Sequence, residues 1–115
     1  MFTANRGVGF QIKFPNGVVI SVQFGQFHYC NNNTRSPLGD MECATAEVAL
    51  FLTNDCDPCH PDWITSEAFK FLFGEETDDV VGYVKPEKIP DLMVWAKDYE
   101  FVTPHNRKGV KDALQ

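Results

Sequence analysis

The chain has 115 residues, a formal net charge of −6, 43% apolar residues and ten phenylalanines. That suffices for one domain with a real core, is too little for two, and is too apolar for a disordered chain. No apolar run approaches the length of a membrane-spanning helix, and the acidic excess argues against a binder of duplex nucleic acid, which carries a basic stripe.

The charge is unevenly spread. Positions 1–39 hold Arg6, Lys13 and Arg35 and no acid, whereas positions 40–79 hold eleven acids against Lys70 alone. The stretch Met1 to Arg6 lacks the charged-then-apolar pattern of a secretion signal, so the expected compartment is the cytoplasm. There the four cysteines are more often thiols or metal ligands than disulfides.

The first element in chain order is a β-hairpin over Val8 to Phe24. Val8, Phe10, Ile12 and Phe14 alternate with smaller or polar residues, as do Val18, Ile20, Val22 and Phe24. Side chains on a strand alternate between faces, so each run has one apolar face. A two-residue Asn16-Gly17 turn would pair Phe14 with Val19 and mix the faces. A three-residue loop, Pro15-Asn16-Gly17, pairs Phe14 with Val18, Ile12 with Ile20 and Phe10 with Val22, placing all eight apolar side chains together. Gly25 to Gly39 is dense in Asn, Ser, Pro and Gly and reads as a long loop, with a brief return to strand at Phe27 and Tyr29.

Thr45 to Leu52 is the next strand, with Ala46, Val48, Leu50 and Leu52 on one face and Glu47, Ala49 and Phe51 on the other. Trp63 and Ile64 read as a short strand, followed by a helical turn that Thr65 or Ser66 could cap and Gly74 could close. Glu75 to Asp79 is an exposed acidic turn and Val80 to Val84 a short strand. Pro86 and Pro90 both suit first helical turns, so the last helix starts between them and runs to about Tyr99. Its apolar stripe is Ile89, Leu92, Met93, Ala96 and Tyr99. The expected fold is α+β over residues 1–102: an antiparallel sheet of four to five strands, with the C-terminal helix packed on one face. Residues 103–115 read as a loose tail.

Three sets of residues could carry chemistry. In the loop after the hairpin, Phe27 and Tyr29 could stack on a base beside His28, Asn31 and Asn33 could read polar edges, and Arg35 could meet a phosphate in a bidentate fork. The bland alternative is a polar loop whose aromatics cap the sheet. Glu75, Glu76, Asp78 and Asp79 could dock a basic protein, as a mimic of nucleic acid would, or could simply be solvated. Cys56 and Cys59, two apart in Cys56-Asp57-Pro58-Cys59-His60, could chelate zinc with His60, Cys30, His28 or Cys43 completing a tetrahedron. The usual second close pair is missing, which favours unligated thiols in a tight proline turn. Haem attachment fails for want of an export signal. There is no P-loop, no G-x-G-x-x-G, no G-x-S-x-G and no cysteine with an evident base, so an enzyme is not expected.

The pattern GVGFQIKFPNG-VVISVQFG-x-x-x-YC, then AEVA, then DDVVGYVKPE ahead of a terminal helix, resembles a group of short hypothetical bacteriophage proteins. The resemblance runs from about Gly7 to Tyr99 and leaves out the Cys56–His60 motif. It implies an accessory protein acting in the host cytoplasm. Small phage proteins of this size commonly antagonise host defence, some by sequestering nucleotide immune signals and others by blocking a host protein. The expectation is thus a non-enzymatic counter-defence protein that binds a small anionic nucleotide. The alternatives are an acidic interaction protein and a zinc-stapled module, and homo-oligomerisation stays open.

Overall fold

Alternating strands that each carry one apolar face must pair and then be covered, and the computed structural model shows how. It describes residues 1–4, 9–24, 34–35, 41–53 and 59–100. The strands are β1 (Phe2–Ala4), β2 (Gly9–Lys13), β3 (Val18–Gln23), β4 (Thr34–Arg35), β5 (Met41–Glu42), β6 (Ala46–Leu52), β7 (Asp62–Trp63) and β8 (Val81–Val84). Helix α1 spans Thr65–Phe73; a 3-10 turn over Pro86–Lys88 leads into α2, Ile89–Asp98. The main sheet runs β1-β2-β3-β6-β7, with β8 also paired to β6, and every pairing is antiparallel. The small β4-β5 ladder stands apart. The architecture is therefore the α+β class that the sequence predicts.

The hairpin has the register argued from its apolar face. Ile12 lies opposite Ile20 and Phe10 opposite Val22. The loop closes through Phe14 N donating to Val18 O and Gly17 N donating to Phe14 O, both at 2.9 Å. Val18, Ile20, Val22, Val48 and Leu50 are buried on the core face, with Phe10, Ile12, Phe14 and Phe24 packed around them. Each fully buried aliphatic side chain of this size contributes about 1.5–3 kcal/mol. At the far end of β2, Gly9 has φ 148°, and a Cβ there would sit 2.3 Å from Val22 O. Only glycine lets the two strands approach so closely.

Asn16 does more than turn the chain. Its Nδ2 donates to the carbonyls of Ala96 (2.9 Å), Lys97 (3.1 Å) and Tyr99 (3.0 Å), while its Oδ1 accepts from Val18 N at 3.0 Å. The last carbonyls of a helix have no partner within it, so the hairpin tip caps the C-terminus of α2. This contact, across 80 residues of sequence, fixes the helix over the core face.

The segment after β7 departs from expectation. Rather than a single helical turn, α1 is nine residues long. It buries Ala68 and Phe69 and sets the Phe69 and Phe73 rings against each other at 58°, with centroids 5.5 Å apart. Gly74, at φ 68°, closes it by donating to Lys70 O, the single bond of a left-handed C-terminal cap, and Glu75 N donates to Phe69 O at 3.3 Å. Neither Thr65 nor Ser66 caps it. Thr65 is the first helical residue, and its hydroxyl is turned to the sheet, accepting from Leu50 N (2.8 Å) and donating to Leu50 O (3.0 Å). Ile64 N also donates to Leu50 O. β7 pairs with Phe51 and Leu52, β8 with Ala46 and Val48, and Leu50 lies between them. A side-chain hydroxyl thus splices two short strands along one edge of β6. Thr65 is fully buried there, where an unpaired Leu50 amide would be costly.

Three further expectations need correction. The first residues form a strand, β1, added to β2. Within the loop read over Gly25 to Gly39, Thr34 and Arg35 form β4, paired with β5 just beyond its end. The stripe of α2 is broader than read, because Trp95 is also buried and contacts Tyr99 at 5.0 Å between centroids. A helix facing both a sheet and a second helix, as α2 faces β3 and α1, buries a wider arc than one facing a sheet alone.

Candidate functional site

The core face is not filled along its whole length. At the end away from Asn16, β6 begins with Ala46, too short to bridge from the sheet to α2. A cleft of about 440 Å³ opens there. Phe10, Val22 and Ala46, from three adjacent strands, form its floor; Ile89 and Met93, one turn apart on α2, form its wall. Phe24 and Cys43 stand at its rim, one on either side of the stretch 25–40 in the sequence. The only polar side-chain groups in the lining are the Thr45 hydroxyl and the half-buried Cys43 thiol. Such a cleft can hold an apolar or flat ring by burial. Among the described residues the lining holds no carboxylate, lysine, arginine or histidine.

Of the loop candidates, Phe27, His28, Tyr29, Asn31 and Asn33 lie outside the described residues. Arg35 is on β4, its backbone opposite Met41 of β5. Two residues beyond Met41 the chain reaches Cys43 at the rim, so Arg35 belongs to the ladder that leads into the cleft.

The acidic turn is described in full. Glu75 bonds Lys88 Nζ at 2.7 Å, and Glu76 lies 3.4 Å from Lys70 Nζ. Lys88 Nζ also sits 4.7 Å from the centre of the Phe73 ring. Two of the four acids therefore help close the chain after α1, through exposed pairs that contribute little to stability in water. Asp78 and Asp79 are exposed. As for the zinc reading, Cys56 lies outside the described residues and Cys59 is an exposed free thiol. Among the described residues no group of three or more His, Cys, Asp or Glu is placed to hold a metal.

The cleft escaped sequence reasoning because it comes from what Ala46 leaves unfilled. A second feature was within reach. Phe51 falls on the outer face of β6, and Trp63 lies directly opposite it on β7. Their rings meet edge to face at 5.4 Å and 64°, and Trp63 remains 43% exposed.

Among the described residues, fold and cleft together define a small α+β domain with an apolar cleft between sheet and helix. No family model, no curated protein and no solved structure matches the chain. No helix among the described residues is long and apolar enough to cross a membrane.

Proposed function

We propose that this is a non-enzymatic binding protein that sequesters a small nucleotide-type molecule, the flat base entering the apolar cleft and the anionic part facing the acid-free N-terminal third. The observation that carries the reading is the cleft itself. It is large enough for a base or similar ring, and its rim residues Phe24 and Cys43 flank the segment that supplies Phe27, His28, Tyr29, Asn31, Asn33 and Arg35. Arg35 supplies the bidentate donor that a phosphate favours. The resemblance to short phage proteins adds the biological sense, removal of an immune signal in the host cytoplasm.

The test is calorimetry of the purified protein against cyclic and linear nucleotides, with wild type, Met93→Lys and Arg35→Ala in parallel. Met93→Lys puts a charge into an apolar wall and should abolish binding. Arg35→Ala should weaken it by about 1.5–3 kcal/mol, the range for a hydrogen bond to a charged group. Binding that survives both changes unaltered would rule out the cleft as the seat of the ligand. A second reading, an interaction protein that docks a basic partner, draws on the exposed Asp78 and Asp79.

A further inference from the structure

The outermost strand of the main sheet is β1, and among the described residues no strand pairs its far side. Its hydrogen-bonding groups can be assigned from its first neighbour in the chain. Met1 N donates to Lys13 O at 2.9 Å, and Lys13 N donates to Met1 O at 2.8 Å. In an antiparallel ladder a pair that exchanges both bonds alternates with one that exchanges none. Thr3 and Gln11 therefore bond each other, while Phe2 opposite Ile12 and Ala4 opposite Phe10 do not. The amides and carbonyls of Phe2 and Ala4 point away from β2, out of the sheet edge. Their side chains lie on the core face. Phe2 continues the row of Ile12, Ile20 and Leu50, and Ala4 continues that of Phe10, Val22 and Val48. Helix α2 packs over β3, and Phe2, at the far end of its row, is left 80% exposed.

We propose that β1 is a self-association edge: it pairs antiparallel with β1 of a second copy about a two-fold axis at Thr3, joining the two sheets into one. The inference is independent of the apolar cleft. The outward groups sit symmetrically on either side of Thr3, so this strand is complementary to itself, which selects a second copy as its occupant. Phe2 of each copy comes opposite Ala4 of the other, a large side chain against a small one, and each such pair exchanges both of its bonds. The axis of an antiparallel pair is perpendicular to the sheet, so both α2 helices lie on one side and the two Phe2 rings share the strip of core face between them. On the other side Thr3 meets its own copy in a non-hydrogen-bonded pair, where side chains come closest. Charge selects this margin. The chain carries −6, yet positions 1–39 hold no acid, whereas the opposite margin holds β7 and β8, the latter close after Asp78 and Asp79. No charged side chain and no proline guards β1 itself. A three-residue strand buries far less than the roughly 1,200 Å² of a stable complex, so the dimer is weak and concentration-dependent.

The test uses the intact chain with no tag ahead of Met1, followed by sedimentation from about 10 μM to about 1 mM, the span in which so small a contact saturates. A monomer–dimer equilibrium is expected. Ala4→Pro removes an outward amide that β2 does not use, and Thr3 before it is already extended, as a proline requires. It should weaken dimerisation roughly tenfold or more, because the bond is lost from both copies. Phe2→Ala should weaken it to a similar extent by loss of ring burial. Under oxidised glutathione, Thr3→Cys should form a covalent dimer several-fold faster than Phe2→Cys or Ala4→Cys, all three keeping the native thiols. Across the axis the two Thr3 Cα atoms lie about 4.5 Å apart, within reach of a disulfide. Phe2 and Ala4 meet their own copies only on the diagonal, at about 7–8 Å, which is out of reach. A monomer throughout the concentration range overturns the proposal. So does a dimer that Ala4→Pro, with a native spectrum, leaves equally tight, or in which Thr3→Cys has no advantage, because the copies then meet elsewhere.

Discussion

Asn16 offers the sharpest test, because two accounts of it predict opposite results. As a turn residue between Pro15 and Gly17 it is replaceable by aspartate, which suits such turns equally well. As the cap of α2 it is not. Its side-chain amide supplies two N–H donors to three helix-end carbonyls, and its oxygen accepts from Val18 N. At about 0.5–1.5 kcal/mol net for each hydrogen bond, Asn16→Ala should cost about 1.5–3 kcal/mol, the lower part of the range reflecting access of water to Lys97 O. Asn16→Asp keeps the acceptor for Val18 N but turns a negative oxygen toward three carbonyls at the negative end of a helix. It loses both donors and adds roughly 0.3–1 kcal/mol of unfavourable interaction with the helix dipole. Urea unfolding of the three proteins at neutral pH, with equal m-values, measures this directly. A loss near 2 kcal/mol would lower Tm by roughly 6–12 °C in a domain of this size. If Asn16→Asp unfolds within about 0.5 kcal/mol of wild type, the ordinary range of a neutral surface change, the capping account is wrong.

Other substitutions probe other parts of the frame. Thr65→Val is nearly isosteric but leaves the Leu50 amide without its partner, and should cost about 1–3 kcal/mol in the same assay; a silent result would mean that the splice along β6 contributes nothing. Ile20→Ala, at a fully buried site, should cost about 2–5 kcal/mol, whereas Lys13→Ala, at the exposed end of the neighbouring strand, should stay within about 0.5 kcal/mol; equal losses would contradict the hairpin register. Gly9→Ala must push β2 away from Val22 O, so amide exchange at the β2-β3 pairing should accelerate well beyond its rate in a Lys13→Ala control, where the side chain is exposed.

What was legible in the sequence was whatever a period reveals. The hairpin, the strand from Ala46 to Leu52 and the helix after Pro90 each repeat an apolar residue at the spacing of their type, over enough residues for the pattern to be decisive. The register followed because only one loop length put both apolar runs on the same face. What stayed hidden depends on pairs of residues far apart in the chain. Nothing around Thr65 announces that its hydroxyl will serve Leu50, since a threonine ahead of a helix reads first as a cap. Asn16 was legible as a turn residue and illegible as a cap, because its carbonyl partners arrive 80 residues later. Trp95 fell outside the stripe because α2 packs on both β3 and α1, and α1 is longer than the helical turn read from the sequence. The cleft is a shape left between elements and has no local signature, apart from a small residue, Ala46, where a large one would close it.

The splice at Leu50 also decides how this sheet can grow. Along that side of β6 an arriving strand would meet a two-residue strand, a threonine hydroxyl and then β8, whose pairing shifts register between Ala46 and Val48. There Tyr83 takes a left-handed conformation, φ 58°. No continuous ladder can be extended from so broken a margin. The opposite margin is β1, regularly paired to β2 over three residues, with Phe2 80% exposed beside it. Among the described residues the main sheet is thus a one-ended template, and strand addition to it has to begin at Phe2–Ala4. A charge placed at Thr3 would guard the whole sheet.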